Sequence, residues 1–192
     1  MSPFRPDLVD VWIFRPRRGG RAVPPGRDAA RNRAGAPDRG ASNRDAGSEI
    51  EILLLRRSPG RILPGLWQCV SGSLESDETP VAGALRELRE ETGFGAGQIA
   101  GLFDLDQVNQ FHEPSVRAIV TSAVFAVRVA SEAEPVLSDE HDAMRWVSPP
   151  EAQDLAIWPA YRESIRRIVD NLTDPGRAAW FELTLGGDRA RA

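Results

Sequence analysis

The spacing of apolar residues along the chain predicts short strands on both sides of one well-marked helix. Val9, Val11 and Ile13 occupy alternate positions within 7–14, which predicts a first strand. Further strands are predicted over 50–55, 66–70, 99–111 (as one strand or two), 116–129 and 144–147. Helices are predicted over 79–92, 149–155 and 161–171. This order indicates an α/β fold, an α/β/α sandwich with a mixed central sheet.

The helix over 79–92 has clear signals at both ends. Thr79 is a residue type that caps helix N-termini, and Pro80 falls at the first helical position, where its missing N–H costs nothing. Gly93 follows the last turn, where a left-handed residue is often needed. These signals fix the helix to within a residue or two.

Two segments differ in composition from the rest of what we predict to be a single domain over 1–192. Residues 15–48 are rich in Arg, Gly, Pro, Ala and Asp, and such a segment buries too little to offset its ordering entropy. We expect a disordered insertion between two strands; the alternative is a basic arm that touches a polyanion or a partner. The tail over 174–192 carries apolar residues that would add an edge strand or cover a partner subunit. These are Trp180, Phe181, Leu183 and Leu185.

Composition restricts the location and the partners of the protein. No apolar run approaches the roughly 18–20 residues that a membrane helix needs, and the N-terminus does not have the pattern of a signal peptide. Cys69 is the only cysteine, which excludes an intrachain disulfide. The net charge of −4 gives no support for a nucleic-acid binder. All 24 basic residues are arginine, which is typical of GC-rich coding. We expect a soluble, cytoplasmic, bacterial protein.

The predicted helix carries clustered carboxylates. At about 100° per residue, Glu87, Glu90 and Glu91 fall within roughly one quadrant, and Arg86 lies one turn before Glu90. A separate apolar stripe is available to pack on the sheet. Three neighbouring carboxylates repel one another, and a divalent cation with a preference for oxygen ligands, Mg²⁺ or Mn²⁺, would relieve that repulsion.

The segment around these acids resembles the signature of a known family. Residues 72–94 read GSLESDETPVAGALRELREETGF, and they match the Nudix box at every fixed position. The fixed positions are Gly72, Glu78, Arg86, Glu87, Leu88, Glu90, Glu91, Gly93 and Phe94. The resemblance implies a metal-dependent hydrolase of pyrophosphate linkages.

The same resemblance implies roles for individual residues. Glu87, Glu90 and Glu91 would bind the metal, and the backbone carbonyl of Ser71 would add a ligand. Arg86 would orient the carboxylates and, with Glu78, hold the loop and the helix in register. Members of the family are often dimers, so a homodimer is an expectation by analogy.

A second acidic site is predicted outside the box. Family members often use an acidic residue from a later loop as metal ligand or base, and Glu140 lies in such a position, six residues before Trp146. Asp139 and Asp142 compete with it for this role. A polar turn without catalytic function is the alternative.

The substrate is indicated by residues 66–75. They resemble the Trp-Gln-x-Val-Thr/Ser-Gly-Ser-x-Glu pattern of Nudix dihydroneopterin triphosphate pyrophosphatases, which are also linked to dATP hydrolysis. Trp67 and Gln68 would contact a ring by stacking and by edge hydrogen bonds, unless Trp67 is a core residue. Arg56 would reach phosphates, and Asn109 and His112 lie where a strand and loop could line a pocket.

Other functions remain open at this point. Within the hydrolase class, the alternatives are ADP-ribose, nucleotide sugars and dinucleoside polyphosphates. A ligand-sensing Nudix domain without turnover is a second class, although sensors tend to lose box carboxylates and this chain has kept them. An RNA-holding protein that uses the Arg-rich insertion is a third, and the negative net charge argues against it.

Overall fold

The chain folds around a mixed β-sheet that is covered by helices on both faces. A computed structural model describes residues 7–18, 49–114 and 117–190. The strands are β1 (Leu8–Pro16), β2 (Ile50–Arg57), β3 (Trp67–Gln68), β4 (Val70–Ser73), β5 (Ile99–Glu113), β6 (Ala118–Val129), β7 (His141–Val147) and β8 (Glu182–Leu183). The helices are α1 (Pro80–Thr92), α2 (Pro149–Leu155), α3 (Pro159–Arg167) and α4 (Pro175–Phe181). A 3-10 turn (Ala96–Gln98) precedes β5, and a π-helical turn (Ile168–Leu172) continues α3.

Strand β1 lies at the centre of the sheet. The strand order is β3-β2-β1-β6-β5-β8, with β4 paired to β1 and β7 paired to β2. Strand β1 runs antiparallel to β2 and β4 and parallel to β6, so the sheet is mixed. Its alternate residues supply two separate cores, because successive side chains point to opposite faces. Val11 belongs to the core under α1, and Trp12 belongs to the core under α2 and α3. The predicted α/β/α sandwich is confirmed.

The prediction that the insertion begins at residue 15 was wrong. Arg15 and Pro16 continue β1, and Arg15 is only 3% exposed. Its guanidinium donates to Glu51 at 2.9 Å and to the carbonyl oxygen of Ala133 at 2.8 Å, and it stacks 3.9 Å from the ring centroid of Trp146. An arginine in a loop-like sequence is thus buried by partners from distant parts of the chain. The predicted disorder of the insertion falls on residues 19–48, which lie outside the described residues.

The predicted strands are present with altered limits: the segment predicted as one strand over 66–70 forms the end-to-end strands β3 and β4, and β6 begins at Ala118. Strand β5 is one continuous strand, and its pairing with β6 shifts register between Asp104 and Val108, where Asp106 has a φ of 50°. Strand β7 begins at His141, three residues earlier than predicted. This extension carries the loop after residue 137 directly against β2.

The tail contains a helix and a strand within the described residues 174–190. Asp174 caps α4 by accepting a hydrogen bond from the Arg177 backbone N–H at 2.8 Å, and this helix was not predicted. The predicted edge strand is confirmed, because Leu183 in β8 pairs with Leu102 in β5. Among the residues placed in the structure, no helix has both the length and the apolar character needed to cross a membrane.

Removal of residues 19–48 should leave the fold intact. The flanking ends lie side by side, because Pro16 pairs with Ile50 and the Arg17 backbone N–H donates to the Glu49 carbonyl oxygen at 2.7 Å. A glycine-containing turn of about three residues would close this hairpin, and loop-closure entropy changes slowly with length. We expect one cooperative thermal transition within about 5 °C of the parent, measured by calorimetry. A broad or missing transition would show instead that 19–48 stabilise the sheet.

Candidate active site

Helix α1 is fixed at both ends and packed against the sheet, as the sequence predicts. The Thr79 hydroxyl accepts a hydrogen bond from the Ala82 backbone N–H at 3.2 Å, and Gly93 takes the left-handed conformation with φ of 73°. Ala84 and Leu88 are buried in the core between α1 and the sheet. The helix therefore holds its acidic residues in a defined position relative to β4.

Gly72 allows α1 to approach β4 closely. A Cβ atom at Gly72 would lie 1.9 Å from the carboxyl carbon of Glu87 and 2.0 and 2.3 Å from its two oxygens. Any side chain at this point would displace the Glu87 carboxylate, which is the flexible end of its side chain, from the position it occupies. The first glycine of the box is explained by this steric constraint.

Arg86 connects three carboxylates with the loop before the helix. Its guanidinium donates to both Glu78 oxygens, at 3.0 and 2.9 Å, and to the Ser73 carbonyl oxygen at 2.9 Å. It also donates to Glu87 at 2.7 Å and to Glu90 at 3.1 Å. The bidentate pair with Glu78 joins loop and helix, and these partners raise the pKa of Arg86.

Glu91 is a buried carboxyl with an unused oxygen. Its Oε1 accepts a hydrogen bond from the Ser71 backbone N–H at 3.3 Å, whereas Oε2 has no hydrogen-bond partner among the described residues. Burial is the main cause that raises its pKa to about 8, and the charge of Glu87 is the next. Burial likewise raises the pKa of Glu87, and Arg86 opposes that effect.

The loop before β7 closes the other side of these acids. His141 is buried, and its Nδ1 lies 3.6 Å from Glu91 Oε2. The charge of Glu140 contributes in a small part to the raised pKa of both Glu87 and Glu91. Arg61 Nη1 lies 3.4 Å from Glu140 Oε1. Burial is the main cause that lowers the pKa of His141, and the positive charge of Arg57 is the next.

The carboxylates at the end of β4 fit a divalent cation. As they stand, no three His, Cys, Asp or Glu side chains within the described ranges form a ready metal cluster, and Arg86 engages Glu87 and Glu90. Glu91 Oε2 is nevertheless buried without a partner, and Glu87 fills the space that Gly72 leaves open. Oxygen donors with this excess of negative charge suit Mg²⁺ or Mn²⁺.

The structure brings some of the predicted substrate-binding residues together and separates others. Arg56 donates to Asp142 at 2.7 Å and lies 5.8 Å from the ring centroid of Trp67, which is half-buried. Gln68 is buried, with its Nε2 atom 3.5 Å from His141 Nε2, on the Glu91 side of the sheet. His112 is exposed near the far end of β5, paired with Ile119.

Asn109 contacts Asp10, which the sequence did not indicate as a neighbour of the predicted site residues. Its Nδ2 atom donates to Asp10 Oδ2 at 3.1 Å, and Asp10 is buried in the middle of β1. The only signal in the sequence was an isolated aspartate between Val9 and Val11. His141 was also missed as a neighbour of the acids, because its contact with Glu91 spans 50 residues of chain.

Comparison with known proteins identifies the segment that carries these acids. A family model described as the NUDIX domain matches residues 38–168, which is most of the chain. A dihydroneopterin triphosphate diphosphatase from Haemophilus influenzae is 33% identical over 130 residues, which cover 63% of this chain and 80% of that protein. An octanoyltransferase from Myxococcus xanthus is 38% identical over 125 residues, which cover 64% of this chain and 33% of that protein. The chain thus spans about a third of the length of this last relative.

Solved structures share the fold. A crystal structure of an Ap4A hydrolase from C. elegans, in a binary complex, has a TM-score of 0.60 and 17% sequence identity. The match covers 85% of this chain and 94% of that one. At this identity the likeness establishes the architecture.

Gly72→Ala should disrupt the carboxylate site, since the added methyl group overlaps the Glu87 carboxylate. We expect Mn²⁺ affinity, measured by calorimetric titration, to fall by about tenfold or more. Gly60→Ala is the matched control, because a Cβ there meets nothing within 4 Å. Equal Mn²⁺ affinity in the two variants would contradict the assignment of Glu87.

The buried Glu91 carboxyl should make the stability of the metal-free protein depend on pH. Its folded pKa of about 8 lies above the ordinary 4.5, so its contribution is fully present below about pH 4.5 and is lost as pH rises through about 8. In excess chelator, the wild type should lose stability relative to Glu91→Gln between about pH 5 and pH 8. Denaturant unfolding at several pH values measures this difference. A constant difference across that range would show that Glu91 is not perturbed by burial.

Proposed function

The chain belongs to the Nudix hydrolase family, and from this premise we propose that it cleaves a triphosphate between its α and β phosphates. The products are pyrophosphate and a monophosphate. We propose dihydroneopterin triphosphate or dATP as substrate. The resemblance of residues 66–75 and the 33% identity to the Haemophilus influenzae diphosphatase support the choice.

The observation that carries this proposal is the pair of carboxylates between α1 and β4. Glu91 is buried with a free oxygen, and Glu87 lies in the space above Gly72. Such a concentration of partly desolvated negative charge is costly in a protein that binds nothing there. It is suited to a site that gathers cations for a polyphosphate.

Mg²⁺ or Mn²⁺ would be held by Glu87, Glu90 and Glu91, with the Ser71 carbonyl oxygen as a further ligand; of the two roles open to Glu140, metal ligand or base, we propose the base. When bound, a divalent cation neutralises phosphate charge and makes water more acidic. The family generally uses such metals. Arg86 then acts as a positioning residue, because its contacts with Glu78 and Ser73 hold the carboxylates in place.

The chemical step requires a base beside the attacked phosphorus. A water molecule forms a bond to the α-phosphorus, the bond from that phosphorus to the bridging oxygen breaks, and pyrophosphate leaves. We assign to Glu140 the role of the general base, which takes the proton from the attacking water. Its loop is fixed by the Ser58 backbone N–H, which donates to the Glu140 carbonyl oxygen at 2.9 Å. Arg61 lies beside Glu140, within reach of a phosphate that approaches it.

The test is turnover of 7,8-dihydroneopterin triphosphate and dATP with Mg²⁺, with products identified by phosphorus NMR. We expect pyrophosphate as the phosphorus-containing leaving group and no turnover in excess chelator. Glu140→Gln should lower kcat by about 10² to 10⁴, the usual contribution of a general base, with Mn²⁺ affinity closer to normal than in Glu91→Gln.

Asp139→Asn is the matched control, because Asp139 is a neighbouring, exposed carboxylate that contacts Arg61 at 3.2 Å. It should turn over at close to the wild-type rate. Near-normal turnover by Glu140→Gln would move the role of base to Asp139, Asp142 or Glu87. Full turnover without a divalent cation would overturn the proposed function itself.

A further inference from the structure

Two arginines at the start of the connection between β2 and β3 lie beside the acids of the candidate active site. Arg57 is the last residue of β2 and is paired with His141, whose Nδ1 lies 3.6 Å from Glu91 Oε2. Arg61 follows in the loop, and its Nη1 lies 3.4 Å from Glu140 Oε1. The chemical step proposed above gives Arg57 no role and uses Arg61 only as a neighbour of Glu140.

The side chain of Arg57 belongs to the face of the sheet that α1 covers. Leu53 and Leu55 lie in the core under α1, and alternate residues of a strand share a face. The paired residue, His141, also faces the acids of α1. Burial is the main cause that lowers the pKa of His141, and the positive charges of Arg57 and Arg61 add to that effect. Both guanidinium groups therefore act on the same side as the candidate site.

Arg57 has donors to spare. Its Nε donates to the Ile62 carbonyl oxygen at 2.7 Å, which fixes the guanidinium plane against the loop. Within the part of the chain that the structure describes, its two terminal nitrogens have no hydrogen-bond or ion-pair partner. A guanidinium that is held at Nε and free at both terminal nitrogens presents the two parallel N–H groups that suit the oxygens of a phosphate.

Arg61 has partners that a phosphate would replace. Its Nη2 lies 3.2 Å from Asp139 Oδ1 and its Nη1 lies 3.4 Å from Glu140 Oε1. The three side chains are 38%, 89% and 36% exposed, in the order Arg61, Asp139, Glu140. Ion pairs between exposed groups are weak because water screens them. A polyphosphate, with several charges close together, would therefore reach the Arg61 guanidinium from solvent without a rearrangement of the fold.

The loop that carries the arginines is held by its own backbone. The Gly65 N–H donates to the Arg57 carbonyl oxygen at 2.9 Å, and the Arg61 N–H donates to the Ser58 carbonyl oxygen at 3.1 Å. Leu63 has a φ of 57°, a left-handed conformation that is uncommon for residues other than glycine. Backbone strain of this kind persists where the surrounding structure holds it, and it is often found at ligand sites. The two guanidinium groups are thus presented from a defined loop.

We propose that Arg57 and Arg61 bind the β- and γ-phosphates of the substrate, which together form the pyrophosphate leaving group. The inference rests on the proposed function, because it takes from there the triphosphate and the bond between its α and β phosphates. The acids of α1 gather cations at one side of the phosphate chain, and the arginines contact its far end.

The charge that develops in the reaction explains why arginine is suited to this place. When water bonds to the α-phosphorus, the bond to the bridging oxygen breaks and its electron pair stays on that oxygen. The leaving pyrophosphate gains negative charge, while the proton of the water passes to Glu140. Arginine stays protonated throughout, so Arg57 and Arg61 neutralise this charge without giving up a proton.

The experiment measures the binding of imidodiphosphate, a non-hydrolysable analogue of pyrophosphate, by calorimetry in the presence of Mg²⁺. We expect Arg57→Gln and Arg61→Gln each to raise its Kd by about tenfold relative to the wild type, because each removes a charged phosphate contact. The value of kcat/KM for the triphosphate should fall by at least the same factor, about tenfold or more.

Arg145→Gln is the matched control. Arg145 lies in β7 opposite Leu54, on the face away from α1, and its Nη2 donates to Glu151 at 2.6 Å. The substitution removes one positive charge from the same edge of the sheet without altering the loop after β2. Its Kd for imidodiphosphate should stay within about twofold of the wild type.

Each outcome decides the inference. Equal Kd values in the wild type and a folded Arg61→Gln overturn it, and this exposed side chain tests it even where Arg57→Gln lacks a cooperative thermal transition. An equal loss of affinity in Arg145→Gln also overturns it, since overall charge would then explain the binding. If the arginine variants alone lose imidodiphosphate but the wild type hydrolyses no triphosphate, the proposed function fails while the pyrophosphate site stands. If pyrophosphate is released at the wild-type rate by both arginine variants, the inference fails while the proposed function stands.

Discussion

The close approach of α1 to β4 is the constraint on which the candidate site depends. The absence of a side chain at Gly72 leaves the space in which the Glu87 carboxylate lies. The Ser71 backbone N–H, in the same strand, donates to Glu91 at 3.3 Å. Two carboxylates are thereby held where water solvates them poorly, and the main cause of their raised pKa values is this burial. The geometry disfavours ionisation of these acids, and a bound cation would favour it.

Arg86 makes this arrangement tolerable in the absence of a metal. Its planar fork donates to Glu78 and Ser73 on one side and to Glu87 and Glu90 on the other. A lysine has no such fork and would not reach all four. The contacts with Glu78 and Ser73 do not involve the acids at the metal site. Arg86 therefore retains these two contacts if Glu87 and Glu90 turn toward a cation.

Features that depend on the spacing of nearby residues were the ones best predicted from the sequence. The helix limits at Thr79 and Gly93 and the grouping of Glu87, Glu90 and Glu91 follow from positions within one short segment. The sandwich followed from the alternation of apolar residues in successive strands. These features require no knowledge of which strand pairs with which.

Residues whose role depends on strand pairing escaped prediction. Arg15 looked like the start of a loop, yet Glu51 and Trp146 bury it from distant segments. His141 reaches Glu91 only because β7 pairs with β2 and carries the preceding loop inward. Asp10 accepts a hydrogen bond from Asn109 in β5, and only the arrangement of the strands shows that this partner is near.

Strand β4 and the residues before it separate the buried Asp10 carboxyl from the acids of α1. Cys69 belongs to the core on the Asp10 side and Val70 to the core under α1, so successive residues of this short segment serve opposite faces. Ser71 serves both faces, because its side chain bonds to Asp10 and its backbone N–H bonds to Glu91. A shift of Ser71 would therefore disturb the buried Asp10 carboxyl and the Glu91 carboxyl together, although the two acids lie on opposite faces of the sheet.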